Sequence, residues 1–242
     1  MTERVASIGE LVDANHILFD QGVVDGFGHV SLRDPEAADR FLIARSMAPS
    51  LVGAGDIMSL GLDGAPEAGD DRQPYLERFI HGEIYRARPD VMAVVHSHSP
   101  AVIPFGVVAT AALRPVCHMA GFIEDQAPVF EIRETAGTGS DMLIRSADLG
   151  AALARDLGGS SVVLMRGHGS TVVGTSLRQA VFRAVYTEIN ARLASEALRL
   201  GQPTYLTAEE ARAASAVNDG QIGRAWELWR QGAEARHPRA SA

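Results

Sequence analysis

The sequence predicts one α/β domain with a mixed, largely antiparallel central sheet and helices on both faces. Three observations carry this. Short apolar or alternating runs that read as strands interleave with helical periodicities, without a strict βαβ rhythm. Residues 161–165 and 170–173 flank a Gly-rich turn, the pattern of a hairpin. The 242 residues, 46% apolar and 21% charged, suit an ordinary globular core, and no repeat or low-complexity block divides them.

The elements follow in order. Ile8, Leu11, Val12, His16, Ile17 and Phe19 recur at helical spacing, so residues 6–22 form an amphipathic helix. A Gly-rich turn from Asp25 leads into a strand ending at Arg33, which Asp34-Pro35 breaks. Residues 41–44 and 56–60 are further strands, the latter running into the Asp63-Gly64 turn. Pro74 is suited to the first turn of a helix over 75–88, stopped by Pro89. The apolar run 91–95 is a buried strand. Residues 100–105 open another helix, 107–116 suit either helix or strand, and 128–132 is a strand. Ser146 opens a helix to about 156, stopped by Gly158-Gly159. Ser176 caps a long helix to 200, Thr207 and Glu210 form a capping box, and a last helix holds Trp226 and Trp229. The tail 236–242 is expected to fray.

Charge and composition exclude several classes. A formal charge of −8 argues against a nucleic-acid surface or a polybasic membrane patch. The single cysteine, Cys117, rules out an intrachain disulfide and is given no catalytic role. Residues 1–10 lack signal-peptide features, and no apolar run approaches the roughly 20 residues of a membrane helix. A cytoplasmic protein is expected.

The chemistry centres on His96-Ser97-His98 at the end of the 91–95 strand. Residues i and i+2 of a strand share a face, so both imidazoles project together, as two ligands to one metal would. His168 stands between two glycines at another strand end, where the chain turns sharply and permits close approach. Glu77 lies four residues before His81, which places both on one helix face. Three neutral imidazoles and a carboxylate suit Zn²⁺, Mn²⁺, Fe²⁺ or Co²⁺.

The segment E-x3-H-x3-Y-x3-P-D-x3-V-V-H-x-H, from Glu77 to His98, resembles the core signature of the class II aldolase/adducin family. Leu164-Met-Arg-Gly-His168-Gly resembles its second signature, and Gly28 to Ser31 and the long helix after Gly174 fit as well. The resemblance spans residues 8–205, with a helical extension over 206–234 in the same domain. It implies a three-layer α/β/α fold and makes His96, His98 and His168 the metal ligands, with Glu77 a ligand or acid/base carboxylate. It also implies homo-oligomers, often tetramers, with sites at subunit interfaces.

Departures within the family point to the substrate. Its sugar-phosphate aldolases usually read G-N-(I/V)-S, a T-P-S-G or T-G-type phosphate turn, and paired serines before the glutamate. This chain has Gly28-His29-Val30-Ser31, Ile43-Ala44-Arg45-Ser46 and Tyr75-Leu76 there. Arginine offers a planar fork for a carboxylate. The chain therefore resembles the branch that decarboxylates hydroxylated aromatic or pyridine dicarboxylates such as dihydroxyphthalate. The expected reaction is a metal-dependent, non-oxidative decarboxylation through a keto tautomer held at the metal, with one divalent transition metal ion per subunit and no organic cofactor. The alternative is an aldolase or epimerase acting on a sugar acid or phosphosugar. Glu77, His29, His118 and Tyr186 are candidates for the ring-protonating acid. His29, Ser31, Arg45, Ser46 and Arg166 are candidate substrate contacts, with Arg114 a further possible anchor.

Overall fold

A computed structural model describes residues 2–238. A seven-stranded sheet lies between two layers of helices. In chain order the elements are α1 (Glu3–Asp20), β1 (His29–Arg33), β2 (Arg40–Ala44), β3 (Ile57–Gly61), α2 (Arg78–Ala87), β4 (Ala93–Ser97), α3 (Ile103–Val107), β5 (Val129–Phe130), α4 (Arg133–Ala136), α5 (Ala147–Leu157), β6 (Val162–Met165), β7 (Gly169–Gly174), α6 (Leu177–Leu200), α7 (Ala208–Asp219) and α8 (Ile222–Arg236). The sheet order is β3-β2-β1-β4-β7-β6-β5. Every pairing is antiparallel except β5 with β6.

The central strands are apolar on both sides because helices cover both faces. Alternate residues go to opposite cores. Leu42, Val95 and Val172 pack with Leu11, Ile17, Val181 and Trp226 under α1, α6 and α8. Ile43, Val94 and Val173 pack with Ile80, Ile84 and Leu153 under α2 and α5. Thr2, Ser146 and Ser176 each accept a backbone N–H at a helix start, and Thr207 and Glu210 form the expected box. Among the described residues, no helix is long and apolar enough to cross a membrane.

Several boundaries differ from expectation. The histidine strand runs two residues later, at Ala93–Ser97, so His96 lies within it, opposite His29 on one side and Thr171 on the other. The helix expected from Tyr75 begins at Arg78. The Tyr75 hydroxyl donates to the Met47 carbonyl at 2.5 Å, which holds this stretch in a turn. Residues 108–116 form no regular element, and the 128–132 strand is reduced to two residues. The tail is tied further than expected. His237 stacks on His16 at 4.6 Å and bonds Asp20, which also pairs with Arg236. Residues 239–242 of the expected frayed tail lie outside the described residues.

Candidate metal centre and substrate pocket

Three elements deliver the cluster. β4 places His96 inside the sheet and His98 just past its end. The turn between β6 and β7 supplies His168, and the residue preceding α2 supplies Glu77. Gly169 is required here, because a Cβ at this position would collide with the Ser97 carbonyl of the neighbouring strand. One ligand atom from each of Glu77, His96, His98 and His168 lies within 4.8 Å of all the others. His98 Nε2 is 3.2 Å from His96 Nε2 and 2.9 Å from His168 Nε2. Glu77 Oε2 is 3.5 Å from the Nε2 atoms of His96 and His168.

Backbone groups fix the orientation of these side chains. His96 Nδ1 donates to the Ser170 carbonyl at 3.1 Å and His168 Nδ1 to the Met142 carbonyl at 2.8 Å. Their Nε2 lone pairs are thereby turned inward, the state in which imidazole ligates a metal. Glu77 Oε1 accepts the Ile144 N–H at 2.9 Å, which leaves Oε2 for the centre. Met142 and Ile144 belong to one loop, and Met142 holds the left-handed conformation (φ 71°). Burial alone would raise the Glu77 carboxyl, but the His96 and His168 imidazoles outweigh it and hold the acid well below the usual carboxylate range. Burial, then His96 and His168, lower His98 to about 4. For His168, the Glu77 carboxylate overcomes burial and raises the imidazole. Inward lone pairs facing a carboxylate oxygen are mutually repulsive unless a cation accepts them. The donor set therefore fits a divalent metal ion of borderline softness.

A cavity of about 320 Å³ opens beside Glu77 and His98. Its walls are largely apolar, with Phe27, Met47, Tyr75, Leu76 and Leu143, while His29 and Ser46 bring polar groups to it. Phe27 is 69% exposed and Leu76 53%, so both offer apolar surface at the rim. Burial pushes the Tyr75 hydroxyl up to about 12, so it stays neutral.

The predicted residues divide clearly. Glu77, His96, His98 and His168 converge, and His29 and Ser46 line the cavity. Glu77 and His81 do not share a helix face, because Glu77 caps α2 instead of lying in it. Ser31 is sealed in the core against His81 and Tyr85 and does not line the cavity, contrary to its expected place as a substrate contact. Arg166 is ion-paired to Glu131 and reaches the Met142 sulfur at 3.7 Å, so it braces the loop behind His168 without lining the cavity. Arg114 pairs with Asp125 and lies over Tyr205. Arg45 does not line the cavity either, though its neighbour Ser46 does; its Nε bonds Asp56 at 2.7 Å, with its side chain 42% exposed. His118 is exposed at the start of a short 3-10 helix, and Tyr186 packs on Phe182 and Trp229. Neither reaches the cluster within one chain. Cys117 is half-buried, 3.8 Å from Asn190. The backbone groups of Met142 and Ile144 and the cavity walls Phe27, Met47 and Leu143 were not anticipated. A backbone carbonyl carries no residue-type signal, and an apolar wall reads as ordinary core.

Comparison with known proteins gives a consistent picture. Residues 9–195 match the family described as Class II Aldolase and Adducin N-terminal domain. The chain is 36% identical over 237 residues to Decarboxylase tropJ of Talaromyces stipitatus, covering 88% of this chain and 89% of that one. It is 33% identical to a 3,4-dihydroxyphthalate decarboxylase of Terrabacter sp., covering 89% and 92%. The solved L-fuculose 1-phosphate aldolase of Glaciozyma antarctica PI12 superposes with a TM-score of 0.79 at 21% identity, over 98% of this chain and 93% of that one. That last likeness concerns the fold.

Proposed function

This chain belongs to the class II aldolase and adducin family, and from that premise we propose a divalent-metal-dependent, non-oxidative decarboxylase of a hydroxylated aromatic dicarboxylate such as 3,4-dihydroxyphthalate. It is an enzyme of the carbon–carbon lyase class. The observation that carries the finer reading is the cavity: an apolar slot with aromatic walls, opening directly on a three-histidine, one-carboxylate cluster. Such walls suit the faces of a flat ring.

Glu77, His96, His98 and His168 would hold Zn²⁺, Mn²⁺, Fe²⁺ or Co²⁺, which supplies a Lewis acid for the oxygen receiving the electrons of the breaking bond. The chain's own side chains do the rest. Tyr75, Leu76 and Leu143 wall the ring and exclude water. Ser46 offers a hydroxyl. Arg45, held by Asp56 through Nε and next in sequence to the wall residue Ser46, would offer its outer guanidinium edge to the carboxylate that stays. The departing carboxylate is left without a tight ion pair, which would favour the ground state. Glu77, kept ionised by its neighbours, is a better ligand than acid, and His29 at the cavity wall is assigned as an uncharged hydrogen-bond donor to the substrate. A role for His118 or Tyr186 would need a second copy to bring it to the pocket. The proposal includes a cytoplasmic homotetramer with sites at subunit boundaries, checked by light scattering of the purified protein. The partner molecule is a small aromatic carboxylate, with no nucleic acid, membrane or organic cofactor involved.

The test is to incubate metal-loaded protein with 3,4-dihydroxyphthalate and, separately, with a ketose 1-phosphate. Release of CO₂ from the first with no aldehyde from the second is expected. Aldehyde from the second with no CO₂ from the first would replace this reading with the aldolase one, to which the fold is equally open.

A further inference from the structure

Four side chains form an unbroken line inward from the cavity wall. His29 Nδ1 lies 2.6 Å from His81 Nε2, His81 Nδ1 lies 2.6 Å from Ser31 Oγ, and Ser31 Oγ lies 2.7 Å from the Tyr85 hydroxyl. His29 is 4% exposed and borders the cavity, while His81, Ser31 and Tyr85 are sealed. Strand register sets His29 opposite His96, with ring centroids 5.0 Å apart. A fourth imidazole thus stands beside the metal ligands without joining them.

Two buried imidazoles in direct contact are both neutral, since like charges at this distance cannot coexist away from water. Each neutral ring has one donor and one acceptor, and each hydroxyl one proton. The line therefore has two self-consistent polarities. In one, Tyr85 donates to Ser31, Ser31 to His81 Nδ1, and His81 Nε2 to His29 Nδ1. In the other every donor is reversed, and the Tyr85 proton must go to the Met92 carbonyl at 3.5 Å. That carbonyl already accepts the Arg33 N–H at 2.8 Å. A bond of 3.5 Å is at the limit of usefulness, and a buried phenol left nearly unpaired is costly. The first polarity places the three protons between the four side chains in bonds of 2.7 Å or less and leaves only the His29 Nε2–H, which faces the cavity, for a partner from outside the chain.

We infer that the buried line Tyr85–Ser31–His81 fixes His29 in its Nε2–H tautomer, making it an uncharged hydrogen donor at the pocket and excluding it as a metal ligand. The donor role deepens the one given to His29 under the decarboxylase reading and rests on it. The tautomer itself does not. With its lone pair turned inward to His81, His29 cannot compete for the metal 5.0 Å from a true ligand ring. Its outer nitrogen has no protein partner among the described residues, so its N–H is left for a substrate atom. His81 acts only through His29 and is a positioning residue.

The test reads the tautomer directly. Zn²⁺-loaded protein labelled with ¹⁵N-histidine reports each ring through its two nitrogen shifts. His29 should be Nε2–H in the wild type and a mixture of tautomers in Ser31→Ala and His81→Leu. With substrate, His81→Leu should lose about tenfold or more in kcat with metal content and KM unchanged. His81→Gln, whose amide still donates to His29 Nδ1, should recover to within about threefold of wild type. A wild-type His29 in the Nδ1–H form would overturn the inference, as would a Ser31→Ala spectrum that keeps the pure wild-type tautomer. Ser31→Ala removes one oxygen, so it decides the matter even where His81→Leu fails to fold. A wild type that releases no CO₂ but shows His29 as Nε2–H removes the decarboxylase reading and upholds the tautomer.

Discussion

Two groups of histidines lie side by side in this sheet and are put to opposite uses. In the outer group, His96 and His168 donate Nδ1 protons to backbone carbonyls and turn their Nε2 atoms toward His98 and Glu77. In the inner group, His29 and His81 face each other, backed by hydroxyls. The residue type is the same and the rings of His29 and His96 are 5.0 Å apart. What stands behind each ring decides its chemistry: a carbonyl behind Nδ1 makes a ligand, while a donor behind it makes an outward N–H.

His96→Ala breaks the outer group. Metal content, measured by elemental analysis, should fall to background together with activity, a loss on the order of 10³-fold or more. Retained metal with lost activity would mean that the remaining three donors suffice as a site.

The inner group is better probed through stability. Burial first, and then His96, lowers His81 to about 3. His29 is likewise lowered well below its ordinary value, by burial and then His81. In the unfolded chain each takes a proton near pH 6.5. Below that pH the unfolded state binds protons that the folded state refuses. The stabilisation is therefore complete above about pH 6.5 and declines as pH falls toward the folded values. For His81 alone the slope is roughly 1.4 kcal/mol per pH unit, or about 2 kcal/mol between pH 6.5 and 5. Urea unfolding of chelator-treated protein at several pH values should show this fall, and His81→Gln should flatten it. Equal slopes in the two proteins would erase the distinction between the groups.

Arg45→Ala serves as a reference outside both groups. It should raise KM about tenfold and leave metal content intact, since its half-exposed side chain touches neither set of rings. Parallel loss of metal would contradict the role given to Arg45.

Much of this was legible from residues in order. Period-two patterning marked the strands, the H-x-H spacing marked two ligands on one face, and the glycines around His168 marked a close approach that Gly169 does make. The illegible part consists of tertiary partners. Ser31 reads as a candidate substrate contact until α2 brings His81 and Tyr85 over it, 50 and 54 residues along the chain. Arg45 reads as a free fork until Asp56 meets its Nε. Glu77 keeps the helical spacing to His81, yet the turn anchored by Tyr75 delays the helix and redirects the carboxylate to the cluster. Pattern reports which face a residue occupies, and only packing reports who waits there.

The loop holding Met142, Leu143 and Ile144 has a consequence for anyone reshaping this protein toward other acids. Leu143 is a cavity wall, and the residues on either side of it hold His168 and Glu77 by their backbones. Enlarging the slot there would trade selectivity against metal retention in a single edit. Phe27 and Leu76, largely solvent-facing, line the same slot without holding a ligand by a backbone hydrogen bond, and are the positions where the range of acceptable rings is more open to redesign.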